Sequence, residues 1–373
     1  MIFIYSITIL YALAILLFVY GNYKIPYFNW AENTSGTTFS ILIPFRNEAH
    51  NLPQLISSLN EIKYPKHLFE IIFIDDQSTD GSSNMVAKAK STSQFSMKLI
   101  FNRNPGSSPK KEALKLGIEY AQHDWILTTD ADCTVAQNWL LAYHSMITRN
   151  YSKMIAGPVC YYPPKSFMEE FQVLDFMSLQ GITIGAFGIG LPLLCNGANL
   201  CYQKALYYEL NGFEGNLHLS SGDDIFLLEK ATKKYPKQVH YLKAKDAIVF
   251  TSAQPSFGEL IQQRIRWAKK SSAYSNIINK GLGLVVIGMN ITIILCTMLW
   301  LFGSLGWTLF LAVWTTKLFV DLLCISITLK FFDQIHYIRS FIISSIIYPF
   351  FVIYVVVMMF FSNYTWKQRQ YQK

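Results

Sequence analysis

Carboxylates mark the places where this sequence could do chemistry. An apolar run at 126–132 ends on Asp130-Ala131-Asp132. Read as extended backbone, it projects both acids to one side, because side chains alternate along a strand. Two anionic donors so close repel unless protons or a cation intervene, which suits a hard divalent metal. The plain alternative is a solvated turn after a strand. Further polar clusters stand at Arg46-Asn47-Glu48, Asp75-Asp76 and Gly222-Asp223-Asp224. The last opens a helical stretch at 225–233. The helix dipole favours a carboxylate there, so a cap accounts for one of the two acids and leaves the other for general-base work. In Gln263-Arg264-Ile265-Arg266-Trp267, a helix puts Gln263, Arg266 and Trp267 on one face. A basic and aromatic membrane flank would explain those three without chemistry.

The elements that must position these groups follow a strand-helix rhythm. Residues 39–44 read as a strand broken by Pro44, 51–59 as a helix, and 71–74 as a strand ending in Asp75-Asp76. Residues 98–101 give a third strand, and the helix 110–122 leads into the strand at 126–132. This alternation predicts a parallel α/β sheet, in which ligands bind beyond the carboxyl ends of the strands. Three of the polar clusters lie at such ends, so separate loops converge on one crevice.

Of the 373 residues, 51% are hydrophobic and 15% charged, which is apolar for a soluble enzyme and points to membrane segments. Residues 2–20 carry no charge and lack the basic start and cleavage site of a signal peptide, so they read as an uncleaved anchor. Residues 281–316 are uncharged and long enough to cross twice with a turn at Gly303–Gly306; 340–366 is a further uncharged run. Lys24, Arg264, Arg266, Lys269, Lys270 and Lys280 flank these spans, which places the middle of the chain in the cytoplasm of a cell bounded by the membrane the chain crosses. The net charge of +8 is accounted for by these flanks, and no nucleic-acid partner is needed. Lys317 and Asp321, four residues apart within an apolar stretch, predict an internal salt bridge. One span before the catalytic region and three after it put the C-terminus outside, in conflict with the basic tail at 367–373.

The uncharged block 176–203 is interrupted by Gly181, Gly185, Gly188, Gly190 and Pro192, which argues against a continuous helix and for an apolar interfacial segment. Six cysteines without paired spacing read as free, mostly buried thiols, Cys133 beside Asp132 included.

Together, Pro44-Phe45-Arg46-Asn47-Glu48, Asp75–Gly81, Asp130-Ala131-Asp132, Gly222-Asp223-Asp224 and Gln263-x-x-Arg266-Trp267 resemble the membrane-bound glycosyltransferases of family 2. That family includes polysaccharide synthases, ceramide glucosyltransferases and bacterial enzymes that glycosylate lipids or carotenoids. The resemblance implies an α/β GT-A domain, Rossmann-like, plus transmembrane helices. It implies an anchor at 1–21, a linker at 22–38, a cytoplasmic GT-A domain at 39–270, and a membrane region of about three helices at 281–366 ahead of the tail. By the same resemblance Pro44, Asn47, Glu48, Asp75, Asp76 and Lys111 (or Lys110) bind a UDP- or GDP-linked sugar, with Asp130. Asp130 and Asp132 hold Mg²⁺ or Mn²⁺, and Gly197 and Asn199 line the acceptor side. Asp224 is the general base with Asp223 beside it, the pair being Asp-Asp where the family commonly has Glu-Asp. Gln263, Arg266 and Trp267 hold the leaving diphosphate and shape the acceptor entrance. The implied reaction is an inverting, metal-dependent transfer to a lipid or lipid-linked acceptor. A processive polysaccharide synthase and a non-catalytic nucleotide-binding membrane protein are the alternatives.

Overall fold

A computed structural model describes residues 1–30, 36–103, 106, 108–215, 222–272, 276–361, 364–366 and 369–371. In order, the chain forms α1 (Ile2–Lys24), β1 (Phe39–Phe45), α2 (Leu52–Asn60), β2 (Phe69–Asp75), α3 (Ser82–Thr92), β3 (Ser96–Phe101), α4 (Pro109–Tyr120), β4 (Trp125–Thr128), β5 (Cys133–Thr134), α5 (Trp139–Asn150), β6 (Met154–Ala156) and β7 (Val159–Tyr161). It continues through α6 (Phe167–Gly188), β8 (Leu200–Gln203), α7 (Lys204–Glu209), α8 (Asp223–Lys234), β9 (Val239–Tyr241), β10 (Val249–Thr251), α9 (Phe257–Ser272), α10 (Ile277–Leu301), α11 (Trp307–Phe331), α12 (Phe341–Phe361), β11 (Tyr364–Trp366) and β12 (Arg369–Tyr371). The elements separate into two compact units. One comprises Met1–Ile25, Pro163–Leu191 and Ala253–Lys373; the other comprises Pro26–Tyr162 and Pro192–Ser252.

The second unit is built on a seven-stranded sheet of order β3-β2-β1-β4-β8-β6-β9. The strands β3, β2, β1 and β4 are parallel, and β8 runs antiparallel between β4 and β6. The near-continuous apolar runs of β1 and β2 are buried throughout or nearly so, as parallel strands covered on both faces must be. Pro44 is tolerated because the ladder to β4 ends at the Leu42–Thr128 pair, leaving β1 bonded on one side only beyond it. Helix α4 starts on Pro109, whose missing N–H costs nothing in the first turn. It lies close on β1 and β2 because Gly117 has no side chain: a β-carbon there would stand 3.0 Å from Ile74 and 3.3 Å from Leu42. This seating brings the first turn of α4, with Lys110, to the carboxyl end of the sheet.

Part of the stretch read as a linker is fastened to this unit. Phe28 N–H donates to Lys243 O (2.8 Å), Arg149 donates to Asn29 O (2.8 Å) and Trp30 Nε1 to Asp246 Oδ2 (2.8 Å). Residues 31–35 of that stretch lie outside the described residues.

Among the described residues, the first unit holds four helices long and apolar enough to cross a membrane, at Ile2–Lys24, Ile277–Leu301, Trp307–Phe331 and Ile335–Phe361. The turn expected near Gly303 separates α10 from α11, with Gly303 at φ 71°. The expected ion pair forms, Lys317 Nζ lying 2.5 Å from Asp321 Oδ2, and Tyr11 of α1 donates its hydroxyl to Asp321 Oδ1 (2.5 Å). Of the basic tail, Lys367 and Lys373 lie outside the described residues.

The block 176–203 corrects the sequence expectation. A continuous helix, α6, runs straight through Gly181 and Gly185 to Gly188. It is opened by Ser166, whose hydroxyl accepts the Glu169 N–H, while the Glu169 carboxylate takes the Lys165 N–H. The glycines are a packing device here. A β-carbon on Gly185 would overlap the Phe18 carbonyl of α1, one on Gly188 the Gly21 carbonyl, and one on Gly181 the Thr328 side chain of α11. Close backbone approach of small residues is how apolar helices gain packing energy, and it offsets the helix propensity glycine lacks.

Candidate active site

The loops after β1 and β2 are zipped together. Arg46 donates to the carbonyls of Asp76 and Gln77 (2.8 Å each), Asn47 N–H to Ser78 Oγ (3.1 Å), Glu48 N–H to Ser82 Oγ (2.9 Å) and Ala49 N–H to Asp80 Oδ2 (2.9 Å). In return Thr79 N–H donates to Asn47 Oδ1 (2.8 Å). Asn47 and Gln77 take left-handed backbone, φ 52° and 63°, to make these turns. Burial works to raise the Asp80 carboxyl, but hydrogen bonds from Ser82 and Ala49 outweigh it and hold it below the ordinary range. Asp75 accepts from Ser78 N–H (2.8 Å) and from the Ser83 hydroxyl, and Asp76 accepts from Asn102 Nδ2 (3.0 Å). Beyond β2 and β3 these residues border a cavity of about 400 Å³ lined by Asp75, Gln77, Phe101, Asn102 and Arg103. Phe101, Asn102 and Arg103 were not among the sequence candidates, although they too follow a strand end.

Strand β4 stops at Thr128, so the two acids do not continue it as expected. Asp130-Ala131-Asp132 is instead a turn, closed by Cys133 N–H donating to Asp130 O (3.2 Å). The extended reading fails because the chain must reverse into β5, which pairs antiparallel with β10. The turn keeps both carboxylates against one group all the same. Burial, and then the charges of Asp132 and Asp130, push the Cys133 thiol well above its usual range. A protonated, buried thiol is a packing group and a poor metal ligand. Among the described residues no third His, Cys, Asp or Glu joins the two acids in a metal-binding group. Two hard oxygen donors on a half-open turn fit Mg²⁺ or Mn²⁺ shared with diphosphate oxygens and water, because such ions commonly take only one or two protein carboxylates.

Lys110 unites the acids. Its ammonium lies 2.6 Å from Asp130 Oδ1. Burial disfavours its charge, but Asp130, Asp223 and Asp224 prevail and hold it above the ordinary lysine range. The structure thus brings the first acid of the turn and the acid pair of α8 into one electrostatic cluster. Lys110 is the lysine at the acids; Lys111 is buried, its ammonium 5.5 Å from the Phe226 ring centre.

Gly197 sits between the same groups. Its carbonyl accepts from Thr128 Oγ1 (2.6 Å), and its N–H donates to Asp224 Oδ2 (3.0 Å). A β-carbon there would stand 3.2 Å from Asp223 Oδ2, so a larger residue would press on the acid pair. Asp224 Oδ1 also accepts the Ile225 N–H (2.8 Å), which fixes the carboxylate at the start of α8. Asn199, expected on the acceptor side, is corrected. Its Oδ1 accepts from Trp139 Nε1 (3.0 Å) and Tyr143 Oη (2.8 Å), and its Nδ2 donates to the carbonyls of Pro158 and Ala247 (2.8 Å each). Every hydrogen-bonding position of that amide is taken inside the core, so it has none to offer an acceptor.

Gln263, Arg266 and Trp267 lie in α9 of the first unit, whose Leu260, Ile261 and Ile265 pack with Phe171, Phe351 and Val355. Arg264 of this helix, which the sequence reading counted only as a basic membrane flank, is buried. It donates through Nε to Asp175 Oδ2 (2.7 Å), reaches the Gln263 amide oxygen through Nη1, and lies 4.2 Å from the Trp267 ring centre.

Comparison with known proteins fits this arrangement. The model of "Glycosyl transferase family 2" matches residues 40–178, and that of "Glycosyl transferase family group 2" matches residues 125–365. The chain belongs to the family 2 glycosyltransferases. Glycosyltransferase AglE of Haloferax volcanii is 25% identical over 62% of this chain and 71% of its own length. An undecaprenyl-phosphate 4-deoxy-4-formamido-L-arabinose transferase of Pseudomonas savastanoi is 38% identical over 25% of this chain and 27% of its own. A poly-beta-1,6-N-acetyl-D-glucosamine synthase of Staphylococcus aureus is 25% identical over 64% of this chain, which spans about half of that protein (55%). The mannosyltransferase PcManGT of Pyrobaculum calidifontis, solved with GDP-Man and Mn²⁺, superposes with a TM-score of 0.59 at 16% identity, covering 92% of this chain and 98% of that one. The likeness establishes a GT-A fold. The chain is therefore a glycosyltransferase that carries helices able to associate with a membrane.

Proposed function

We propose that this enzyme moves a sugar, with inversion, from a UDP- or GDP-linked donor to a lipid or lipid-linked acceptor at the cytoplasmic face of a membrane. The observation that carries the reading is the gathering of Asp130, Asp223 and Asp224 about the Lys110 ammonium. The cavity beside Asp75 and Phe101 suits the nucleotide's base, with the Phe101 ring as a stacking surface. Asp130 and Asp132 would hold the divalent ion, which when bound neutralises charge on the departing diphosphate. Lys110 adds a fixed positive charge at the same place. Asp224, pinned by two backbone N–H groups, is the base that takes the proton from the acceptor hydroxyl. Gln263, Arg266 and Trp267 assist at the diphosphate and the acceptor entrance.

The lipid acceptor draws support from the four apolar helices and from a relative named for transfer to undecaprenyl phosphate. Cytoplasmic placement draws support from the basic residues flanking the spans. Membranes carrying the protein are incubated with radiolabelled UDP- and GDP-sugars, with and without Mn²⁺, and the lipids extracted. Metal-dependent label in the solvent-extractable fraction is expected. Label found only in a long insoluble polymer would identify a processive synthase instead.

A further inference from the structure

Helix α6 grips the Gln263-x-x-Arg266-Trp267 helix through a buried acid that no motif includes. Asp175 accepts from Arg264 Nε, with Nη2 also at 2.7 Å, and both side chains are more than nine-tenths buried. The next residue, Phe176, lies 6.2 Å from Trp267 between ring centres. The Tyr348 hydroxyl of α12 interacts electrostatically with the same carboxylate. Tyr348 in turn has the Lys317 ammonium 5.6 Å from its ring centre, and Lys317 is paired with Asp321, which holds Tyr11 of α1. Glu170, earlier in α6, binds Arg339 and Ser340 ahead of α12, and Gln172 exchanges two hydrogen bonds with the Gln254 backbone (3.0 and 2.8 Å) ahead of α9.

A buried ion pair is often no more stabilising than apolar residues of equal volume; its best-attested use is to specify one arrangement among several. Apolar packing alone would let α9 slide and rotate against α6 and α12. The Nε–H hydrogen bond and the close Nη2 contact, both to Asp175 Oδ2, restrain its rotation, because the guanidinium is a rigid, charged plane. We propose that Asp175 is a positioning residue: it locks Arg264, and with it Gln263 and Trp267, while Tyr348 ties that lock to the Lys317–Asp321 pair among the membrane helices. The arrangement of the helix bundle thereby sets the geometry of the element that meets diphosphate and acceptor. The inference rests on the reading of that element given under Proposed function.

The test uses the full chain in lipid nanodiscs with Mn²⁺. It measures nucleoside diphosphate release from UDP-N-acetylglucosamine and GDP-mannose, and hydrogen exchange across residues 257–272. Asp175→Asn is expected to lower kcat at least tenfold with donor KM within threefold, and to speed exchange in α9 while leaving α10 unchanged. Tyr348→Phe, which keeps the ring and removes the hydroxyl, is the milder variant. It should lower kcat several-fold at an unchanged melting temperature, and Asp175→Glu should recover part of the loss. Wild-type kcat in both Asp175→Asn and Tyr348→Phe, or exchange rising equally in all helices, would overturn the proposal. If the unaltered protein releases nucleotide from neither donor, the transferase reading given above fails on these probes. The exchange arm then decides alone: deprotection confined to α9 sustains the lock, and unchanged protection refutes it.

Discussion

At the scale of single residues, the two acids at the start of α8 are held differently. Asp224 is held by Gly197 and Ile225 N–H groups, whereas Asp223 faces the space that a side chain on Gly197 would fill. A base has to keep its geometry through the reaction, which favours the pinned acid. Asp224→Asn should lower kcat by roughly 10²–10⁴-fold, the usual worth of a positioned base, with donor affinity within about threefold. Substantial turnover in Asp224→Asn, with loss in Asp223→Asn, would reverse the assignment. A second prediction concerns Lys243, buried beside the Tyr27 ring at 5.1 Å. Burial brings its ammonium down to about 8 from an ordinary value of 10.5. The unfolded chain therefore binds this proton more readily between those values, and stability should rise as pH climbs from about 8. Lys243→Met should melt a few degrees higher at pH 7, the advantage fading by about pH 10.5; an equal gain at both pH values would disprove the cause. The acids could be singled out in the sequence because they follow apolar strand runs or open a helix. Asn199 was misjudged because its neighbours in sequence say nothing of Trp139 and Tyr143, which reach it from α5.

At the scale of elements, local pattern was a good guide wherever strands were parallel and apolar. The ends of β1, β2 and β3 were recognisable from the apolar runs and the polar residues that stop them. It failed at α6, since intrinsic propensity counts each glycine as a cost and cannot see the carbonyl of Phe18 or Gly21 pressed against it. That close crossing makes a sharp prediction. Gly185→Leu should force α6 away from α1, lowering the melting temperature of the detergent-solubilised protein by a few degrees, as overpacking worth about 1–3 kcal/mol would. Gly36→Leu is no control, its φ being 104°; Gly283→Leu, with no heavy atom near its β-carbon, should be neutral. Equal effects at positions 185 and 283 would refute the packing account. Whether Asp130–Asp132 continues the strand or turns could not be decided from the sequence for a related reason. Its reversal is dictated by β10, more than a hundred residues away.

At the scale of the whole molecule, the sequence supports one membrane segment before the transferase unit and three after it, and four helices in those places are long and apolar enough. With the basic flanks of α1 and α9–α10 inside, a C-terminal tag should be cleaved by protease added to intact cells, and an N-terminal tag likewise. Protection of the C-terminal tag would require one helix to lie along the surface. What composition could not convey is that neither unit is continuous in sequence: the chain leaves the sheet unit at Tyr162 and re-enters it at Pro192.

The position of β8 imposes a timetable on synthesis. Strands β3, β2, β1 and β4 can pair as soon as residue 128 has been made, but β6 has no neighbour until β8 arrives to stand between it and β4. Before that happens, α6 has left the ribosome, and the helix whose carbonyls its glycines meet, α1, has been waiting since the start of translation. The sheet thus stays half built while an apolar helix is made, and can be completed only after it. Late pairings between distant segments are slow and leave strand edges open. Between residues 128 and 200 the growing chain therefore carries an unfinished sheet edge.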